Sequence, residues 1–193
     1  MLASITPLGE RSRRQRWSVT VAALIVGSAV AGAAVGAALA MAGRFVPLSA
    51  AGRVETLLVV AASAIVIELR PFGLRLPTHR RQVDGTWLHR YRGWVYGVGF
   101  GGQLGVGVWT IVATPAVYVM FAAELLAPGA AGLAIGAAFG LVRGATLLST
   151  AGIDSTRALA AFHGRFHRAE RAAAALTVAA QAVVVVTALA FGL

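Results

Sequence analysis

Residues 17–43 read WSVTVAALIVGSAVAGAAVGAALAMAG, 27 positions without one charged side chain. At 1.5 Å per residue a helix of that length reaches about 40 Å, more than the roughly 30 Å of hydrocarbon in a bilayer. A helix on the surface of a soluble domain keeps a polar face, and this run has none. Two further runs carry the same reading: VETLLVVAASAIVIEL at 54–69 and AAAALTVAAQAVVVVTALAFGL at 172–193. The first of these is slightly short for a span, but Arg53 and Arg70 at its ends can snorkel to the interfaces.

The whole chain agrees. Of its 193 residues 58% are hydrophobic and only 12% charged, with a mean hydropathy of +0.77, whereas soluble domains carry about 25% charged residues. The sequence describes an integral membrane protein. Basic residues before an apolar run resemble a secretory signal, but the 17–43 run far exceeds the apolar core of one and reads as a retained helix. With no cysteine, thiol redox chemistry, disulfides and thiolate metal sites are excluded.

Two more apolar regions, Trp94 to Leu126 and Gly129 to about Thr150, are separated by Ala127-Pro128-Gly129. Read as one kinked helix and one ordinary helix, they bring the total to five spans. All 17 basic residues are arginine, and the net charge is +10. In a soluble protein that charge would point to nucleic acid; here its placement follows topology. Four arginines precede residue 17, two lie in 43–53, six in 70–92, none near 127–130 and four in 151–171. Alternate connections thus hold 14 against 2, leaving only Arg143 inside a span. By the positive-inside rule the N-terminus and the 70–92 and 151–171 connections are cytoplasmic and Leu193 is external, in an inner (plasma) membrane. The 70–92 loop, RPFGLRLPTHRRQVDGTWLHRYRGW when read on to Trp94, is expected to anchor Trp87, Tyr91 and Trp94 at the headgroups. Binding of anionic lipid headgroups or an acidic cytosolic partner there is the alternative.

The chain also repeats itself. Thr6-Pro7, the small-residue run GSAVAGAAVGAALAMAG and RVETLLVVAASAIVIEL are answered by Thr114-Pro115, GAAGLAIGAAFGLVRG and RAERAAAALTVAAQAVVVV. Two units of three helices are opposite in orientation, which is the inverted repeat of transporters whose broken helices meet near the bilayer midplane. The expected organisation is a single all-α polytopic membrane domain, 1–193, with one half at about 1–75, a basic linker at 70–92 and a second half at about 93–193.

This order of features resembles the CcdA and DsbD transmembrane family of cytochrome c biogenesis and reductant carriers, within a wider group of small inverted-repeat transporters. LRLPTHRRQ resembles that family's basic linker, WVYGVGFGGQLGVGVWTIVATPAVY its broken fourth helix and GLAIGAAFGLVRGATLL its fifth. In the family a cysteine follows each helix-breaking proline; here Leu8 and Ala116 stand at those positions, so the dithiol shuttle is chemically impossible for this chain alone. The family also has a membrane segment before its first Pro-Cys motif. Here either that helix is lost, or the start lies upstream and a sixth helix precedes residue 6.

The candidate binding residues cluster at the expected kink. Pro115 removes a backbone donor and frees a carbonyl one turn earlier, and in lipid such groups need partners. Thr110, Thr114 and Gln103 lie on the same helix and can supply them, either as a structural kink or as a substrate site. Six glycines from Gly97 to Gly107 precede the kink and suit close helix packing or a moving gate. Arg143 is an intramembrane charge and so a functional candidate. Anion recognition or pairing with Glu124 competes with snorkelling to the cytoplasmic interface, and Glu124 is placed near the external end of its helix. Glu10 is expected to pair locally with Arg11, and Glu68, Asp154 and Glu170 to be interfacial. His163 and His167 have helical metal-ligand spacing but no third ligand and three arginines around them, which favours a basic interfacial helix over a metal site.

These readings converge on a small transporter or exporter of an unidentified solute, without cofactor, metal or enzymatic activity. The alternative is a non-transporting scaffold or assembly subunit, and a homodimer or a membrane partner is open in either case.

Overall fold

The computed structural model of the chain describes residues 5–69, 86–109 and 114–190, the last helix largely by its backbone from residue 165 on. All regular structure in these residues is helical: α1 (Pro7–Ser12), α2 (Trp17–Gly43), α3 (Ala50–Glu68), α4 (Trp87–Arg90), α5 (Gly93–Val106), α6 (Ala116–Leu126), α7 (Ala131–Ala145), a 3-10 turn (Thr146–Thr150) and α8 (Thr156–Ala190). Among the described residues three stretches are long and apolar enough to cross a membrane, Trp17–Gly43, Ala50–Glu68 and Ala131–Thr150, while α6 is apolar but shorter.

α2 is the hub, because small residues let other backbones reach it. On α5, Gly93, Gly97, Gly101 and Gly105 recur every fourth position and so share one face. A Cβ at Gly97 would meet the Thr20 carbonyl, one at Gly101 the Leu24 carbonyl, and one at Gly105 the Ser28 carbonyl. Residue numbers rise together along the two helices, so α5 runs parallel to α2. α7 runs the other way: Gly132 lies beside Gly36 and Ala40, Gly136 beside Gly32, Gly140 beside Ser28 and Gly144 beside Ile25. The central contacts are reciprocal, since a Cβ on Gly32 would strike the Gly136 carbonyl and one on Gly136 the Gly32 carbonyl. Between helices in lipid, where apolar side chains gain little by leaving hydrocarbon, such backbone proximity is the main source of attraction. Ser28 is fully buried where α2, α5 and α7 meet.

The polar residues at helix ends close the remaining backbone groups. The Ser49 hydroxyl caps α3 by accepting from Gly52 N–H at 3.1 Å. Arg53 does more than reach for the interface: it donates to the Leu126 carbonyl at 3.1 Å and the Gly43 carbonyl at 3.2 Å, closing the C-termini of α6 and α2 together. At the opposite end of the bundle Ile5, Val21, Leu24, Tyr96, Phe100 and Leu147 form an apolar core, flanked by Trp17 and Trp87. The N-terminal segment is docked into that end by Leu8 N–H to the Ile153 carbonyl at 3.1 Å and Thr150 Oγ1 to the Ile5 carbonyl at 3.2 Å.

Two expectations change. The region Trp94–Leu126 is not one kinked helix: α5 ends at Val106 and a second helix, α6, begins at Ala116. The arginine-rich connection expected at 151–171 is helical from Thr156 onward and continuous with the last apolar run. Ala, Arg and Glu are strong helix formers, so hydropathy marks where that helix changes surroundings rather than where it starts.

Candidate functional site at the broken helix

α5 stops at Val106 because Gly107 takes φ +81°, a backbone conformation open to glycine at little cost. A Cβ there would also press on the rings of Phe121 and Phe139. Gly105 packs beside Ser28 and Gly32, while Leu125 near the end of α6 packs against Gly43. The break therefore lies half-way along α2, and α5 and α6 in succession cover its length.

Pro115 does not kink a helix; it is buried at the N-cap of α6, where a missing N–H costs nothing. The preceding Thr114 sets the start: its Oγ1 accepts from Ala116 N–H at 3.2 Å and donates to Glu68 Oε2 at 2.8 Å. Glu68, expected at an interface, thus ends α3 at the break. Thr6 plays the corresponding part in α1, its Oγ1 accepting from Gly9 N–H at 3.1 Å ahead of Pro7. Both Thr-Pro pairs are helix starts.

Arg143 meets the C-terminal end of α5, where Leu104 O already accepts from Gly107 N–H at 3.1 Å. Its Nη1 donates to Leu104 O at 3.2 Å and Gly107 O at 3.3 Å, and its guanidinium lies 5.3 Å from the Phe139 ring centre. A cation at a helix C-terminus is favoured by the unpaired carbonyls there, so this arginine is drawn into the bundle rather than out to the interface.

Glu124 is the residue that sequence reasoning placed least well. It is 1% exposed, and Oε1 would lie 3.0 Å from a Cβ on Gly136. Helical side chains lean towards the N-terminus of their helix, which carries the carboxylate from the end of α6 back to the Gly32–Gly136 crossing, half-way along α2. Neither carboxylate oxygen has a hydrogen-bond partner among the described residues, so the pairing with Arg143 is not formed. The available signal was a single acid in an otherwise apolar stretch. Gln103 is partly exposed on α5, one turn before Gly107, and Thr110 lies outside the described residues. Arg143 thus stands at the end of α5, Thr114 and Pro115 with Glu68 at the start of α6, and the Glu124 carboxylate beside Gly136.

A second polar cluster has a different character. Glu10 is fully buried, and its partner is Arg13, not Arg11. Oε1 accepts from Arg13 at 2.6 Å and Tyr96 Oη at 2.6 Å; Oε2 accepts from Thr20 Oγ1 at 2.8 Å and again from Tyr96 at 2.6 Å. Burial disfavours the charge on Arg13, but its hydrogen bonds and Coulombic attraction to Glu10 outweigh this and its pKa is raised. With both carboxylate oxygens filled by protein donors, this cluster fastens α1, α2 and α5 rather than presenting a site. Tyr96→Phe removes a hydrogen bond to a charged group and is expected to cost about 1.5–3 kcal/mol, read as a lower midpoint in a detergent unfolding titration. An unchanged midpoint would deny the fastening role.

No group of three or more His, Asp or Glu able to hold a metal occurs among the described residues. His163, in the helical segment expected to be basic and interfacial, turns Nδ1 to the Leu159 carbonyl at 3.0 Å, and the side chain of His167 lies outside the described set. Comparison with protein-family models, with curated proteins and with solved structures gives no match for this chain.

Proposed function

We propose that this chain is a small, non-enzymatic membrane transporter whose solute passes the break between α5 and α6, with Arg143, Thr114 and Glu68 around the solute and Glu124 as the buried acid beside it. The observation that carries the reading is the interruption of a helix half-way along its neighbour, with a half-buried arginine donating to the carbonyls of Leu104 and Gly107 at the end of the first piece. Irregular backbone at that depth is tolerated in lipid only where protein or a polar cavity satisfies it, and transporters use it as a binding site. Five spans in two inverted repeats fit the same proposal. The contacts of α2 with α7 are reciprocal about Gly32 and Gly136, as a two-fold axis between inverted halves requires, and both Thr-Pro pairs begin helices. Arginine placement then sets the N-terminus in the cytoplasm. The likeness to reductant carriers extends to architecture only, since Ala116 stands where their cysteine would.

The test is solute-driven swelling of reconstituted vesicles, with nitrate, phosphate, acetate, glycerol and urea as probes. Wild-type protein is expected to accelerate entry of at least one of them. Arg143→Ala is expected to cut that rate more than tenfold, because an arginine hydrogen-bonded in a low-dielectric site is worth several times its surface value. Wild-type vesicles no faster than empty ones for every probe, or an Arg143→Ala rate equal to wild type, would leave the scaffold reading in possession.

A further inference from the structure

The end of the bundle where α2 and α5 begin carries a recess unrelated to the break. A cavity of about 340 Å³ is lined by Arg14, Gln15, Arg16 and Val19 from one side and by Arg92 and Trp94 from the other. That volume lies in the range of small-ligand sites. Three exposed arginines, Arg14, Arg16 and Arg92, line it, and none of them has an ion-pair partner among the described residues. Glu10, which lies close to Gly93 in the lining, is engaged by Arg13, Thr20 and Tyr96. Like charges gathered around one space repel unless an anion fills it.

The backbone holds this arrangement deliberately. α1 ends in a Schellman turn, with Arg14 N–H donating to Arg11 O at 3.0 Å and Gln15 N–H to Glu10 O at 2.9 Å. The left-handed position in that turn belongs ordinarily to glycine, yet Arg14 occupies it at φ 55°, at a cost of about 1–2 kcal/mol. Gln15 then bridges to α5, accepting from Gly93 N–H at 3.1 Å, so the first and second walls of the recess are fixed to one another.

The lining also indicates the kind of anion. Val19 and Trp94, 46% and 54% exposed, continue from the arginines along the flank of the bundle that lipid would cover. Trp94 is also the side chain expected at headgroup depth. A free anion has no use for that apolar wall; an acyl chain does. We infer that this recess binds the phosphate of an anionic phospholipid headgroup, with the chains of the lipid lying on Val19 and Trp94. Only Arg92 comes from the 70–92 loop, for which the sequence offers lipid binding as an alternative; the other two arginines belong to the N-terminal turn.

Native mass spectrometry of the full chain in detergent tests this, with phosphatidylglycerol, phosphatidylcholine and inorganic phosphate as probes. Phosphatidylglycerol is expected to bind at least about tenfold more tightly than phosphatidylcholine, and Arg16→Ala with Arg92→Ala is expected to remove that preference. Arg14→Gly relieves the strained turn, so it is expected to weaken phosphatidylglycerol binding about fivefold while leaving the unfolding midpoint equal or higher. Equal affinity for the two lipids, or unchanged preference in both variants, would overturn the inference. So would displacement of phosphatidylglycerol by inorganic phosphate at matching concentration, which would identify a free-anion site.

Discussion

Glu124→Met is expected to make the protein harder to unfold and to abolish solute flux. A buried carboxylate without a donor loses its hydration and gains nothing in exchange, a cost of about 1–3 kcal/mol for a polar group and more if it is charged. Methionine fills similar volume beside Gly136 without that cost and adapts to irregular space. An unfolding midpoint measured in detergent should therefore rise in Glu124→Met. Flux should fall to the rate of empty vesicles in both Glu124→Met and Glu124→Gln, because each removes the ionisable group. A variant that unfolds more easily than wild type would mean that the carboxylate is satisfied in the membrane, and undiminished flux in Glu124→Gln would exclude its part in transport. Stability gained with function lost is the pattern expected when a group is kept for chemistry rather than packing.

Gly136→Val is expected to prevent the bundle from assembling. Its Cβ would stand where the Gly32 carbonyl now is, and neither backbone can yield without parting α2 from α7 along their length. Overpacking typically costs about 1–3 kcal/mol and occasionally more, and here the clash is with backbone, in a contact that joins α2 and α7 at their middles. The yield of monodisperse protein after extraction should drop to near zero, and Gly32→Val should behave alike because the contact is mutual. Gly102→Ala is the matched control: nothing lies within 4 Å of the added carbon, so the better helix former should leave stability equal or higher, by up to about 1 kcal/mol. Similar yields for Gly136→Val and Gly102→Ala would disprove the close crossing.

How much of this could be read beforehand depends on whether a residue answers to its neighbours in sequence or in space. The boundaries of α2 are legible because Trp17 to Gly43 is one unbroken apolar run, and the glycines of α5 are legible as packing residues because their spacing is local. The break was located one turn or more too late. Pro115 is the breaker that the sequence displays, but α5 ends where Gly107 adopts a positive φ and Arg143 donates to the carbonyls of Gly107 and Leu104, 36 and 39 residues away from it. Glu10 was assigned to an adjacent arginine because the sequence offers no hint of Tyr96, 86 residues on. Glu124 was placed by its position on the helix, whereas its carboxylate is placed by side-chain direction.

The reciprocal crossing of α2 and α7 has a mechanical consequence. Gly32 lies near the centre of α2, so the ends of that helix stand about 16–22 Å from the point of contact. Rotation of one helix against the other about that point by roughly 10° shifts each end by about 3–4 Å, in opposite senses at the two faces, by the geometry of a lever of that length. At that point backbone meets backbone, Gly32 against Gly136, so the two rods present each other little to interlock there, and a small turn about it is opposed chiefly by the flanking contacts at Gly132, Gly140 and Gly144.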